Sequence, residues 1–377
     1  LAFGSVADRF GRRAIFTYAL LLYSVSAVMM ACQTTAHGLN FWRLMTGIGL
    51  GVELVTIDAY LSELVPVRIR GRAFAVSKVI AFAAVPCVAL VAYLLVPYEP
   101  LGIDGWRWVC AIGASGALVV WLIRLRLPES PRWLANHGQL DKALAVIEQL
   151  EAKVRAETGK ALPEPAPAQL VPATAPTRFA ELWSAQFRAR TCMLVVFHAA
   201  QGIALYGFSN WMPTFLIEQG VGLSNSLQYG VLISCVAPFG PLLAMSFADR
   251  VERKWQIVVA ACIVAVAGMV FVEMRSTASI LLVGAIVTLG STVISLGFHT
   301  YQAELFPTRN RAMAIGFVYS ISRLSGAASG FLIAAALKQG GVAGALALIS
   351  GCMLVGMLVI GFFGPHTRGR SLEQLSQ

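Results

Sequence analysis

Ten runs of apolar residues, each about as long as a bilayer is thick, constrain this chain more than any other feature. They cover roughly 14–33, 39–61, 73–96, 105–125, 191–217, 225–247, 255–273, 278–302, 312–337 and 343–363. Backbone inside hydrocarbon must satisfy its own hydrogen bonds, so each run is a helix or a strand of a closed barrel. None of the runs alternates as barrel strands do, so all ten are expected to be helices. Charged residues make up 13% of the chain, against about 25% in soluble globular proteins. The expected fold class is an all-α, multi-spanning membrane protein.

The net charge of +10 invites a nucleic-acid reading, but its distribution excludes one. Arg9, Arg12 and Arg13 precede the first run. Arg68, Arg70 and Arg72 lie two runs later, and Arg124, Arg126 and Arg132 two runs after those. Arg250, Arg253 and Lys254 continue the series, followed by Arg309 and Arg311, then Arg368 and Arg370. The alternate loops hold isolated cations such as Arg107, Arg275 and Lys338. Positive charge in alternate loops orients both ends of the chain toward the cytoplasm. A cell-membrane protein, of the kind found in a bacterial inner membrane, fits this pattern. The seven cysteines are scattered, mostly in the runs, with no CxxC, which reads as reduced packing residues.

The chain also repeats itself. DAYLSELVPVRIR at 58–70 recurs as HTYQAELFPTRNR at 299–311, so Tyr60, Glu63, Pro66, Arg68 and Arg70 reappear 241 positions later. FGSVADRFGRR recurs more loosely as MSFADRVERK, and Asp8 to Asp249 keeps the same spacing. In an apolar chain a constant offset means two parallel copies of one large unit, a transporter architecture. The offset also places the counterpart of the fifth run before residue 1, so one span and most of another are expected to be absent.

Between the copies, residues 139–157 form an amphipathic stretch with Leu140, Ala143, Leu144, Ile147 and Val154 on one side. Residues 161–177 are rich in proline and alanine and read as a linker. Phe179, Leu182, Trp183 and Phe187 then fall at helical spacing, as in a short helix lying on the membrane. The expected organisation is a first transmembrane bundle over 1–125, an inter-bundle segment over 126–189, a second bundle over 190–363 and a tail over 364–377.

ADRFGRR, RLMTGIGLG, ELVPVRIRGR, GWRW and LPESPRWL in the first half resemble the major facilitator superfamily, on its sugar-porter and metabolite–proton symporter side. ADRVERK, ELFPTRNRA and PHTRGRSLEQL extend the resemblance through the second half. It implies two pseudo-symmetric six-helix bundles with a central site open alternately to each side. The family's helix 1 and most of helix 2 would then be missing. Some positions depart from sugar porters. The family's glutamine pair in helix 7 reads His198-Ala199 here and its asparagine reads Ala204. Helix 10 reads LGFHTYQAEL without the expected Pro and Trp, and helix 7 ends Trp211-Met212-Pro213-Thr214. That ending is closer to relatives that carry organic acids and other metabolites.

A charge at the centre of a span costs about 2.5–3.5 kcal/mol on insertion scales, so it needs a partner or a water-filled cavity. Arg43, Glu53, Asp58 and Arg323 stand out. The resemblance implies that Arg43 pairs with an acid of helix 1 and couples proton entry to the conformational change. Glu53 sits about 80° around its helix from Arg43. It is either a proton carrier or a structural partner of Arg43 or of another helix. Arg323 either neutralises an anionic substrate or pairs with a buried acid. His198 is either a substrate or proton contact or a hydrogen-bonded packing residue. Gln201, Tyr206, Asn210 and Trp211 read as cavity lining or as interhelical hydrogen-bonding groups. Gly47, Gly49 and Gly51 lie inside an apolar helix, so close helix packing and not a nucleotide loop is their expected use.

Asp8, Glu63, Glu129, Asp249 and Glu304 sit beside Arg12, Arg70, Arg72, Arg132, Arg253 and Arg311. The resemblance implies that these form a cytoplasmic gate of ion pairs, weak singly and effective as a network. In the second copy Glu252 replaces the glycine of DRFGRR, and His366 replaces the family's tail glutamate. The expected function is proton-coupled uptake of a small polar metabolite, sugar-like or an organic acid, by a monomer in the lipid bilayer. No cofactor or metal is expected. A nutrient sensor on the same fold would carry a longer tail than the 14 residues after Phe363. The five histidines are too dispersed for an enzyme's catalytic set.

Overall fold

The computed structural model describes residues 12–65, 67–124, 128–159, 179–247, 251–306 and 308–367. Every regular element among them is helical. The helices are α1 (Arg12–Ala31), α2 (Ala36–Leu64), α3 (Val67–Leu95), α4 (Gly105–Arg124), α5 (Pro131–Asn136), α6 (Leu140–Thr158), α7 (Arg188–Glu218), α8 (Leu223–Ser234), α9 (Phe239–Phe247), α10 (Arg253–Val270), α11 (Thr277–Glu304) and α12 (Thr308–Phe363). Each expected span falls on helix.

Eight helical stretches among the described residues are long and apolar enough to cross a membrane. Two differences separate them from the ten runs. α2 is 29 residues long but carries Arg43, Glu53, Asp58 and Glu63, and it is not among the eight. The last two runs join in α12, 56 residues interrupted only by Gly341 at φ 61, ψ −159. The run over 225–247 is broken instead. Pro238 has no N–H to continue a helical ladder, and a short turn separates α8 from α9.

The chain packs as two compact units. The first takes its described residues from Leu1–Val76 and Leu94–Ala173, the second from Ser77–Tyr93 and Thr174–Gln377. In the first unit α1 packs on α2 and α4. The seam is built from small residues: Ala19, Ala27, Ala114 and Ala117 are buried. Gly49 explains how close α1 and α2 come. A Cβ there would lie 2.8 Å from the Ala19 carbonyl oxygen and 2.9 Å from the Tyr23 nitrogen. A Cβ at Gly47 or Gly51 would meet nothing within 4 Å, so of the three glycines only Gly49 is used for packing. Arg107 of GWRW ties the opposite helix end. Its Nη1 donates to the Ala31 and Gln33 carbonyls at 2.6 and 2.7 Å while Nε holds Asp104 at 2.8 Å. It thereby satisfies carbonyls that the end of α1 leaves open.

In the second unit α7 packs on α12, and α10 packs on both α11 and α12. Phe197, Phe215, Ile257, Phe271, Ile294 and Tyr301 form its buried centre. The segment over 179–187 is a 3₁₀ turn, Phe179–Trp183, followed by α7. Leu182 and Phe187 enter the core instead of lying on a membrane stripe, because Thr191 Oγ1 pins the Leu182 carbonyl at 3.0 Å. Phe179 and Trp183 pack edge-on to Phe317. α6 keeps the expected amphipathic pattern, but only Ala143 of its stripe is buried; Leu140, Leu144, Ile147 and Val154 are exposed.

Candidate transport site

The first unit places Glu53 against Arg124, not Arg43. Arg124 Nη2 lies 2.6 Å from Glu53 Oε1, with the two side chains 8% and 14% exposed. The guanidinium also donates to the Phe16 carbonyl at 3.4 Å and lies over the Phe16 ring, 3.5 Å from its centroid. Burying a charge is expensive without a partner, and here carboxylate, carbonyl and ring together supply one. Sequence reasoning assigned Arg124 to a topology-setting cluster; it is instead a buried partner of Glu53. The available signal was helical spacing, since Arg124 follows the buried Ala117 by seven positions on α4. Arg43 is exposed on α2 and pairs with no acid among the described residues. Asp58 lies on α2 with its side chain outside the described atoms.

The second unit gathers polar groups from α7, α11 and α12. His198 and Tyr206 lie eight positions apart on α7, with Gly202 between them on the same face. Gly202 lets α12 approach: a Cβ there would sit 2.6 Å from the Ser322 carbonyl. Gly326 of α12 leaves room for the Tyr206 ring. Arg323 donates to the hydroxyls of Tyr206 and Tyr319, the latter at 2.6 Å. Its guanidinium stands 5.7 and 4.8 Å from the two ring centroids. No carboxylate reaches Arg323 among the described residues.

Deeper in the same cluster, His198 is fully buried. Its Nε2 donates to Gln302 Oε1 at 2.9 Å, and Gln302 Nε2 donates to His299 Nδ1 at 3.4 Å. The His198 ring meets Phe298 edge-on at 5.0 Å, and the His299 ring is 5.6 Å from that of Tyr319. Lys78 of α3 and Arg323 are both close enough to His299 to act on it electrostatically. Sequence reasoning found His198, Tyr206 and Arg323 and missed Tyr319, His299 and Gln302 as their partners. Of the other cavity candidates, Gln201 is buried, Asn210 is exposed, and Trp211 stacks on Phe215 at 6.5 Å.

Two of the expected gate carboxylates have described partners. Glu304 pairs with Arg253, each side chain roughly a quarter to a third exposed. Glu129 accepts from the Arg13 backbone nitrogen at 3.1 and 3.2 Å and from Ser130 N at 3.0 Å. It therefore sits at the N-terminus of α1, where a negative charge complements the helix dipole. Asp8 and Asp249 lie outside the described residues. Arg12, Glu63, Arg70, Arg72, Arg132 and Arg311 lie on helices with their side chains outside them. The two second-copy departures meet each other. Glu252 Oε1 accepts from Thr367 N at 2.8 Å, and Oε2 is 3.9 Å from His366 Nδ1. Lys254 Nζ donates to the Gly364 carbonyl at 2.7 Å and Tyr301 to the Pro365 carbonyl at 2.8 Å. Residues 364–367 are thus fastened across the ends of α10 and α11.

Comparisons with known proteins agree with this helical architecture. The family model described as "Sugar (and other) transporter" matches residues 1–377. A putative metabolite transport protein of Bacillus subtilis, YyaJ, is 30% identical over 98% of this chain and 81% of its own length. The niacin transporter NiaP of Acinetobacter baylyi is 27% identical, covering 99% of this chain and 83% of its own. Among solved structures, the xylose transporter XylE of E. coli in a partially occluded, inward-open conformation superposes with a TM-score of 0.75. It is 18% identical and covers 98% of this chain and 84% of that one. The whole-chain match and the 30% identical relative establish that this chain belongs to the sugar (and other) transporter family, a multi-spanning membrane transporter of the major facilitator type.

Proposed function

We propose that the protein is a secondary active transporter that works by alternating access of two six-helix bundles and takes up a small polar metabolite together with a proton. The observation that carries this reading is the polar cluster of His198, Gln302, His299, Tyr319, Arg323 and Tyr206, built on helices of membrane length. Groups of this kind inside a span mark a substrate or ion path. Glu53, held by Arg124, is the proton-carrying candidate; Arg43 and Asp58 on the same helix complete the charged set. The Arg253–Glu304 pair and the Glu129 contact with α1 belong to the gate that biases the two states, on the inner side of the membrane. XylE is described as a proton:xylose symporter and NiaP as a niacin transporter, and both support a sugar-like or organic-acid substrate. The test is accumulation in proteoliposomes under an inward proton gradient, with and without an uncoupler. Uptake that the uncoupler leaves unchanged sinks proton coupling; no uptake of any solute class sinks the transporter reading for this chain.

A further inference from the structure

The hydrogen-bond directions around Arg323 select a substrate class, and the inference rests on the transporter reading above. The Gln302 amide fixes two tautomers. Its oxygen accepts from His198 Nε2, so that nitrogen carries the proton, consistent with a buried His198 Nδ1 that has no partner. Its NH2 group only donates, so His299 Nδ1 accepts at 3.4 Å and the proton of neutral His299 resides on Nε2. Tyr206 and Tyr319 both accept from Arg323, and each retains its own O–H to give. The guanidinium spends one N–H on each phenol and keeps the rest of its five. The one acceptor of the cluster left without a partner, His198 Nδ1, is fully buried, while Arg323, Tyr206, Tyr319 and His299 offer donors.

Arg323 is also exposed about 15 residues into α12, roughly 22 Å along it at 1.5 Å per residue. A cation at that depth faces water and not acyl chains, and its planar fork matches a carboxylate with two parallel bonds. A sugar presents several hydroxyl protons beside its oxygens and meets mostly donors here. A carboxylate presents acceptors only. The geometry points to a small organic carboxylate as the substrate, bound through Arg323 with Tyr206, Tyr319 and His299 as co-donors.

The test compares acids with their own amides. Purified full-length protein in proteoliposomes is offered lactate and lactamide, nicotinate and nicotinamide, D-xylose and inorganic phosphate. At least one carboxylate is accumulated, and its amide at least tenfold less, because the amide puts N–H groups where only donors wait. Arg323→Gln lowers carboxylate uptake at least tenfold, Arg323→Lys lowers it less, and Tyr319→Phe raises KM several-fold. Thermal unfolding in detergent separates these effects from misfolding, and the acid-to-amide ratio of the wild-type protein decides the matter even if Arg323→Gln does not fold. Preferred uptake of xylose, an amide or phosphate overturns the carboxylate assignment and leaves the transporter standing. Uptake of none of the panel or of any other solute overturns both.

Discussion

Arg124 and Glu53 meet at 2.6 Å although one ends α4 and the other lies in the middle of α2. Their contact joins two helices that each pack on α1.

If Glu53 carries the transported proton, Glu53→Gln abolishes gradient-driven accumulation while substrate counterflow, which needs no net proton movement, continues within about twofold. Loss of both to the same degree would make Glu53 a structural residue only. Removing one member of a buried pair costs about 3–5 kcal/mol because the other is stranded. Arg124→Gln therefore lowers thermal stability more than Glu53→Gln/Arg124→Gln together, and a double-mutant cycle on unfolding midpoints reads the coupling.

Gly49 is a packing requirement and Gly51 is not. Gly49→Val should abolish folded protein in the membrane fraction, since even a Cβ is 2.8 Å from the α1 backbone. Gly51→Ala should express and unfold like the parent, within about 0.5 kcal/mol. Equal behaviour of the two variants contradicts the α1–α2 seam described above.

The Arg253–Glu304 pair is partly solvated, so it contributes at most about 1 kcal/mol to stability. Glu304→Ala alone should shift the unfolding midpoint little. Combined with Glu63→Ala it should move the resting population toward the inward-open state, read as faster labelling of cysteines placed on the inner side. Unchanged labelling would restrict both acids to folding or topology.

The fastening of residues 364–367 predicts a stability effect from the tail. Lys254 is buried with its ammonium on the Gly364 carbonyl, and hydrogen bonds to charged groups are worth about 1.5–3 kcal/mol. Truncation after Phe363 should therefore destabilise the second unit by about that much, and Lys254→Met should recover part of the loss by removing the stranded charge. A truncated chain as stable as the parent argues against this fastening.

The helices were legible because hydropathy alone forces them: every apolar run falls on helix, interrupted in one case by the turn between α8 and α9. Side-chain partners were less so. His198 and Gln302 are 104 positions apart, and nothing in either local sequence announces the other. Arg124 was misread because it stands at the end of an apolar run, where the orientation rule expects a solvated cation; only the pattern of buried alanines on α4 separates the two uses. Glu53 was visible as an anomaly with either Arg43 or another helix open as its partner, and the structure supplies the other helix, through Arg124 of α4. Arg323 and Tyr206 were found because polar groups in apolar runs are conspicuous.

Gly341 has a consequence for how the last part of the chain moves. A straight 56-residue helix would be roughly 80 Å long, about twice the full thickness of a bilayer. One residue, in a backbone region that essentially only glycine occupies, divides that rod into two membrane-length spans. The joint has no loop and therefore no slack. Displacement of the segment that carries Tyr319 and Arg323 is transmitted to the segment that ends at Phe363, and from there to the fastened residues beyond it. Gly341→Ala, whose methyl has open space but the wrong backbone, would strain that joint without touching a single side chain.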